Sequence, residues 1–227
     1  MDAVTQTYLD AIDARVAARS LLLHPFYQAW SRGELTLDAL RDYSKQYYHH
    51  VAAFPTYLSA VHAQTDDLFT RRHILDNLMD EEAGDPNHPQ LWLQFAEGLG
   101  VSPEETRRTP RWDSTHHLIR TFRSVCSDHG TAAGLAALYA YESQIPAVAQ
   151  SKIDGLNRFY GMTDPRSTAY FTVHIEADRE HAAIERQLLE AHANADNASV
   201  VMESVDTVLD ALWDMLSGVC ERHTIAG

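Results

Sequence analysis

The residues best suited to chemistry lie in the run His174-Ile175-Glu176-Ala177-Asp178-Arg179-Glu180-His181. At about 100° per residue, His174, Asp178 and His181 fall within a narrow arc of one helix face. Phe171, Val173, Ala177, Ala182, Ile184, Leu188 and Leu189 flank that arc, while Glu176, Arg179, Glu180, Arg186 and Glu190 lie opposite. Two imidazoles and a carboxylate in the middle of a face that should be buried cost on the order of several kcal/mol unless something partners them. A transition metal would satisfy all three at once. The Asp178-x-x-His181 spacing is the i, i+3 carboxylate–histidine arrangement of di-iron helical bundles.

Two further segments offer matching groups. Glu142 shares an apolar stripe with Leu135, Leu138, Tyr139 and Ile145, with Ala137 and Gln144 expected to point away. The run Asp80-Glu81-Glu82-Ala83-Gly84-Asp85-Pro86-Asn87-His88 joins two helices, so Glu81 ends one and His88 begins the next, and both side chains can reach one cavity. Glu81, His88, Glu142, His174, Asp178 and His181 together supply imidazoles and carboxylates without a thiolate, a set that suits iron or manganese rather than structural zinc. Two divalent ions bring four positive charges and the carboxylates cancel three, which leaves room for a small anion. The competing reading makes the histidines hydrogen-bonded core residues. Glu82 competes with Glu81, and Asp80, Glu82 and Asp85 are expected to form a solvated acidic patch. Glu185 extends the buried stripe and is placed to hydrogen-bond a ligand histidine. His49, His50, His116 and His117 come as adjacent pairs and are expected at the surface or behind the ligands.

These groups must be positioned by helices, since nearly every segment has a period near 3.6 and no strand alternation is present. Helices are expected over Ala3–Arg19, from Pro25 to Gly33, from a Thr36 cap through Pro55 to beyond Val61, Asp67–Glu82, Asp85–Leu99, a turn at Ser102–Glu105, Asp113–Asp128, Thr131–Gln150, Pro165–Ala193 and Ser199–Arg222. The 227 residues, 45% of them hydrophobic, can bury a large core, and no linker divides them, so one all-α domain over 1–227 is expected. A net charge of −14 speaks against nucleic acid or an anionic membrane as partner. No apolar run is long enough for a membrane span, and Met1–Gln6 lacks the pattern of a signal peptide. With only Cys126 and Cys220, the expected setting is the reducing cytoplasm.

On the pattern Glu81…His88, Glu142, His174-x3-Asp178-x2-His181, the chain resembles the CADD-like (chlamydial death-domain-associating protein) family of haem-oxygenase-like dimetal oxidases, within the TenA/PqqC-like superfamily. The resemblance spans essentially the whole chain. It implies a haem-oxygenase-like helical bundle, two metal ions (Fe/Fe or Fe/Mn), O2, an external reductant and a homodimer. It also implies formation of p-aminobenzoate, a folate precursor, from the protein's own side chains. Tyr27, in His24-Pro25-Phe26-Tyr27, matches the ring source, and Lys152, in Gln150-Ser151-Lys152-Ile153, matches the amino donor. Tyr43, Tyr141 and Tyr170 match tyrosines placed around the metals. By residue type alone, Tyr27 is a packing residue and Lys152 a surface lysine.

Three other readings remain in view. A dimetal oxidase of the same fold would act on an external amino acid or fatty acid. A metal-free relative would be a thiaminase-like or pyrroloquinoline-quinone-type enzyme, although Thr131–Gln150 contains no cysteine for the former. An interaction module would use its acidic surface on a basic partner, and would have no need of six metal-type side chains.

Overall fold

Polar caps and prolines fix where the helices begin. Thr36 accepts a hydrogen bond from the Ala39 amide at 3.1 Å and opens the long helix that carries Tyr43. Asp67, Ser102 and Asp164 cap three others in the same way. The computed structural model describes residues 3–226, the side chains of 3–6 excepted; Met1 and Asp2, at the head of the N-terminal segment read above, and Gly227 lie outside the described residues. Among the described residues there are eleven α-helices, one 3-10 turn at Leu21–Leu23 and no strand. In chain order the helices are α1 (Ala3–Ala18), α2 (Pro25–Arg32), α3 (Leu37–Gln64), α4 (Leu68–Glu82), α5 (His88–Gly98), α6 (Pro103–Arg108), α7 (Asp113–Asp128), α8 (Thr131–Glu142), α9 (Ile145–Phe159), α10 (Pro165–His192) and α11 (Ala198–His223).

Two boundaries differ from expectation. The helix expected from Asp85-Pro86 begins at His88 instead. Asn87 accepts from the Gln90 amide at 3.0 Å and the Gln90 side chain accepts from the Asn87 amide at 2.9 Å, a reciprocal pair that outcompetes the earlier Asp-Pro start. The single helix expected over Thr131–Gln150 is two. Pro146 has no amide hydrogen to give the Glu142 carbonyl, so α8 stops at Glu142 and α9 restarts at Ile145. The break turns Gln144 inward, where its Oε1 accepts from the Leu21 amide at 2.8 Å and its Nε2 donates to the Ala140 carbonyl at 2.7 Å. α9 then runs on to Phe159 and carries Lys152. Pro55, by contrast, is absorbed within α3 as expected.

α8 is the central helix. It packs against α1, α3, α7, α10 and α11, and for that reason all its residues from Ala132 to Glu142 are buried. Ala137 and Gln144, expected to point away, are therefore interior. α10 lies across α5, α8 and α9, and α3 across α4, α5 and α7, so His88, Glu142 and the α10 stripe face one interior space. The largest fully buried side chains, Trp30, Trp92, Tyr27, Tyr43, Tyr57, Phe26 and Phe95 among them, occupy the same core. No helix of the described residues is long and apolar enough to cross a membrane.

Where α9 meets α2, Gly155 lets the two backbones close up. A β-carbon there would lie 2.5 Å from Trp30 Cδ1 and 3.2 Å from the Trp30 carbonyl. Gly155→Ala is expected to wedge α9 off α2 and destabilise the protein by about 1–3 kcal/mol, read as a lowered urea midpoint with unchanged slope.

Candidate metal centre

One stripe of α10 carries Tyr170, His174, Asp178, His181 and Glu185, all buried. α4 contributes Asn77, Asp80 and Glu81 from its last turns, α5 contributes His88 from its first residue, and α8 contributes Glu142 from its last. The structure brings the six expected ligands into two triads, Glu81–His88–His174 and Glu142–Asp178–His181. The donor atoms within each triad lie within 4.8 Å of one another. Glu82, the rival of Glu81, is exposed.

Orientation is set by the groups behind each imidazole. His174 Nδ1 lies 2.6 Å from the Tyr170 carbonyl one turn back, so Nδ1–H donates there and Nε2 faces Glu81 at 3.8 Å. His181 is the mirror case. Its Nε2–H donates to Asp80 Oδ2 at 3.0 Å, which turns Nδ1 towards Asp178 Oδ1 at 3.5 Å and Glu142 Oε1 at 3.6 Å. Asp80, expected as a member of a solvated acidic patch, is exposed at the rim and holds a histidine from there. Asn77 Nδ2 donates to both oxygens of Glu142, at 3.1 and 3.3 Å, and fixes that carboxylate's plane.

The arrangement fits metal ions on its own chemistry. His88 Nδ1, His181 Nδ1 and Asp178 Oδ2 are buried and have no hydrogen-bond partner. His88 Nδ1 approaches Glu81 Oε1 to 3.0 Å without hydrogen-bond alignment, the placing of two ligand atoms around a shared cation. Burial alone would push Glu81 upward, yet the His174 and His88 imidazoles hold its carboxyl down at about 2. Burial lifts Glu185 well above the ordinary carboxylate range, and the neighbouring Glu142 adds to the effect. Burial and the Glu142 and Glu81 carboxylates raise Asp178, against the pull of His174 and His181. Adjacent buried carboxylates resist joint ionisation until positive charge arrives. The two triads fit a dimetal centre.

The other expected residues surround this centre. Tyr170 lies over His174 with ring centroids 4.0 Å apart and planes tilted by 31°. Tyr141 accepts a hydrogen bond from Tyr47 at 2.9 Å. Tyr27 and Tyr43 share a hydroxyl–hydroxyl hydrogen bond of 3.1 Å. Lys152 is 97% buried, contrary to its reading by residue type, and its Nζ stands 5.0–5.5 Å from the ring centroids of Tyr27, Tyr43, Tyr47, Trp92 and Phe171. No carboxylate pairs with it among the described residues, and burial lowers its ammonium to about 7.

Sequence reasoning missed several neighbours. His50, expected at the surface or behind the ligands, is fully buried among Tyr47, Tyr57, Phe122 and Tyr141, and burial lowers it to about 3. His49 is buried too, with Nε2–H donating to the Thr109 carbonyl at 2.8 Å. Trp92 escaped notice, whereas Tyr47, one turn from Tyr43 on the same face of α3, lies in the core as its spacing requires.

Residues 41–213 match the family described as iron-containing redox enzymes. The chain belongs to this family. A 4-aminobenzoate synthase of Chlamydia pneumoniae is 46% identical over 93% of this chain and 94% of its own length. A 4-aminobenzoate synthase of Nitrosomonas europaea is 42% identical over 96% of this chain and 93% of its own. A CADD-like protein of unknown function from Nostoc punctiforme superposes with a TM-score of 0.79 at 18% identity, covering 98% of this chain and 99% of its own, and shares the haem-oxygenase-like helical fold. Adding Fe(II) or Mn(II) to chelated protein is expected to raise the thermal midpoint, because the ions bind the folded state alone. Glu81→Ala and Asp178→Ala should each blunt that rise, and differential scanning calorimetry with metal analysis reads both.

Proposed function

We propose that the protein forms 4-aminobenzoate at a dinuclear centre of iron with iron or manganese, with Tyr27 as the source of the ring and Lys152 as the source of the amino nitrogen. Two curated relatives that match nearly the full chain carry the name 4-aminobenzoate synthase, which supports the product. The self-sourced route is carried by one observation: the space beside the ligands is filled by the chain itself. One cavity, bounded by Glu81, Glu142, His174, Asp178, Tyr141 and Tyr170, and a second, bounded by Lys152, Tyr47, Tyr141, Tyr170 and His174, each leave only about 10 Å³ for a small molecule's centre. That is room for one water-sized molecule and not for an aromatic or fatty acid.

Reduced iron, when bound with O2 and an external reductant, supplies the one-electron chemistry that side chains lack. The chain's own residues do the rest. The ligands would be Glu81, His88 and His174 at one ion, and Glu142, Asp178 and His181 at the other. Tyr43 holds the Tyr27 hydroxyl at 3.1 Å, and the surrounding rings exclude bulk water from the ring to be freed. In this route the Cα–Cβ bond of Tyr27 breaks and Cβ is oxidised to the carboxyl carbon, with O2 as the electron acceptor. Cα of residue 27 takes a hydrogen, so that one O2 covers this four-electron oxidation. The Lys152 nitrogen replaces the phenolic oxygen, which leaves as water, and a water oxygen takes the place of nitrogen on Cε as that bond breaks, an exchange without net redox change. Desolvation leaves much of Lys152 as free amine near neutral pH, the form able to attack carbon.

Purified protein given Fe(II), Mn(II), reductant and O2, with no organic precursor, should yield 4-aminobenzoate in amounts stoichiometric with the protein. Protein labelled with ring-13C tyrosine and 15N-lysine should pass both labels to the product, and Tyr27→Phe should make none. Consumption of an added amino or fatty acid with Tyr27 intact in peptide maps would sink the self-sourced route.

Lys152 also links stability to pH. Its folded value is depressed to about 7 from 10.5, so between those two values the unfolded chain holds the extra proton. Stability therefore rises with pH across that window, and below about 7 the penalty is at its full, constant size. Lys152→Met should remove this slope and stabilise the protein near neutrality by on the order of a few kcal/mol, as chemical denaturation at pH 7 and pH 9.5 would show.

A further inference from the structure

α4 carries more apolar surface outside than inside. Of the nine large apolar side chains exposed among the described residues, four lie on this one helix: Leu68, Phe69, Leu75 and Met79. Inward it buries Thr70, Ile74, Asn77 and Glu81, of which Ile74 alone is apolar. At about 100° per residue, Leu68, Arg72, Leu75, Met79 and Glu82 form a stripe nearly opposite that buried face. They follow one another at alternating steps of four and three residues, the seam spacing of a two-helix coiled coil. Single exposed leucines are ordinary, but an aligned row of apolar side chains marks a surface that something covers.

The charges beside the stripe identify the cover. Arg71 and Arg72 precede Leu75, and Asp76, Asp80 and Glu82 follow it. Among the described residues no ion pair engages Arg71, Arg72, Asp76 or Glu82, while Asp80 is held by His181. A second α4 running antiparallel, with the two-fold axis at Leu75, sets Arg72 of each copy beside Asp76 of the other, and Arg71 beside Glu82. A parallel copy would set arginine against arginine and acid against acid. The stripe is therefore complementary to itself in one orientation only, and such a contact closes at two copies.

We propose that α4 pairs antiparallel with α4 of a second copy of this chain, Leu75 against Leu75, and that this pairing clamps α4 onto the two triads. The helix supplies Glu81 to one triad, and through Asn77 and Asp80 it holds Glu142 and His181 of the other. With a single buried apolar side chain of its own to anchor it, α4 gains from the second copy the apolar cover its core does not provide. One helix from each side makes a contact on the order of 1,000 Å², near the lower end for specific interfaces, so the dimer dissociates on dilution. The inference is independent of the route by which 4-aminobenzoate is formed.

Sedimentation velocity of the wild type should show the mass doubling between about 1 and 100 µM, and Leu75→Glu should stay a single copy throughout. A wild type that is monomeric at the top of that range overturns the proposal, as does a dimer that survives Leu75→Glu and so uses another face. Cysteine cross-linking reads the orientation. Leu75→Cys should oxidise to a disulfide-linked dimer, whereas in Leu68→Cys the two thiols would lie about 20 Å apart and should stay unlinked. Leu68 is the more exposed of the two, at 56% against 43%, so random collision would favour it. Equal linking at both positions overturns the antiparallel pairing. Arg71→Glu with Arg72→Glu should abolish the dimer, and adding Asp76→Arg and Glu82→Arg in the same chain should restore it. No restoration overturns the charge pairing. For the clamp, wild-type and Leu75→Glu proteins loaded with Fe(II) are given a chelator, with circular dichroism and thermal midpoint as controls of folding. Iron should leave the single copy at least about tenfold faster than the dimer, and equal rates overturn the clamp.

Discussion

The interior of this bundle is organised by a charge problem. Glu81, Glu142, Asp178 and Glu185 are all buried, and among the described residues no lysine or arginine pairs with any of them. An isolated carboxylate in such surroundings is prohibitively costly, so each needs a proton, an imidazolium or a metal ion. The three imidazoles can neutralise part of the set. His181 is pulled up to about 11 against the opposing effect of burial, by Asp178, Glu142 and Asp80. That arrangement still leaves imidazole nitrogens and carboxylate oxygens facing one another unbonded. Two divalent ions, one at each triad, would give the orphaned nitrogens of His88 and His181 and the free oxygen of Asp178 a partner.

The same constraint explains why the site is spread over α4, α5, α8 and α10. No single helix face can bury six polar groups and remain part of a core. Each helix instead contributes from a place where it is already interrupted: Glu81 near the end of α4, His88 at the start of α5, Glu142 where Pro146 ends α8. Only α10 carries a ligand stripe in mid-helix, and there the i−4 carbonyl of Tyr170 orients His174 at no cost to other elements. Helix ends are cheap places to set a ligand, since their geometry is free of the next turn.

Much of this was legible from residue spacing, and the exceptions share a cause. Periodicity placed the α10 stripe, and the cap-and-proline signals found nearly every helix. Where it failed, a tertiary partner decided. Ala137 is buried because other helices surround α8, and Gln144 because the break at Pro146 turns it inward, neither of which a window of sequence reports. Lys152 is buried because Gly155 lets α9 lie close on Trp30, a contact between residues far apart in the chain. Adjacent histidines such as His49 and His50 left surface and interior both open, and α3, packed on two sides, buries both. Asp80 looked like one of several solvated acids, and only the position of His181 on another helix gives it a task.

On the proposed function, the aromatic cage is both reactant and scaffold. Tyr27 is 1% exposed and lies against Phe26 and Trp30, with centroids 5.4 and 6.4 Å away, besides its bond to Tyr43. Freeing its ring leaves a void comparable to a large-to-small core substitution, which costs about 3–5 kcal/mol for an aromatic residue. Lost with it is a partner of the Tyr43 hydroxyl, now buried with one fewer hydrogen bond. Against a typical stability of roughly 5–15 kcal/mol, that is a large fraction. A spent chain is therefore expected to melt lower than a fresh one even when its metals are retained. The packing that keeps water from the reacting ring is the packing the reaction removes, so protection and reuse are incompatible at this position.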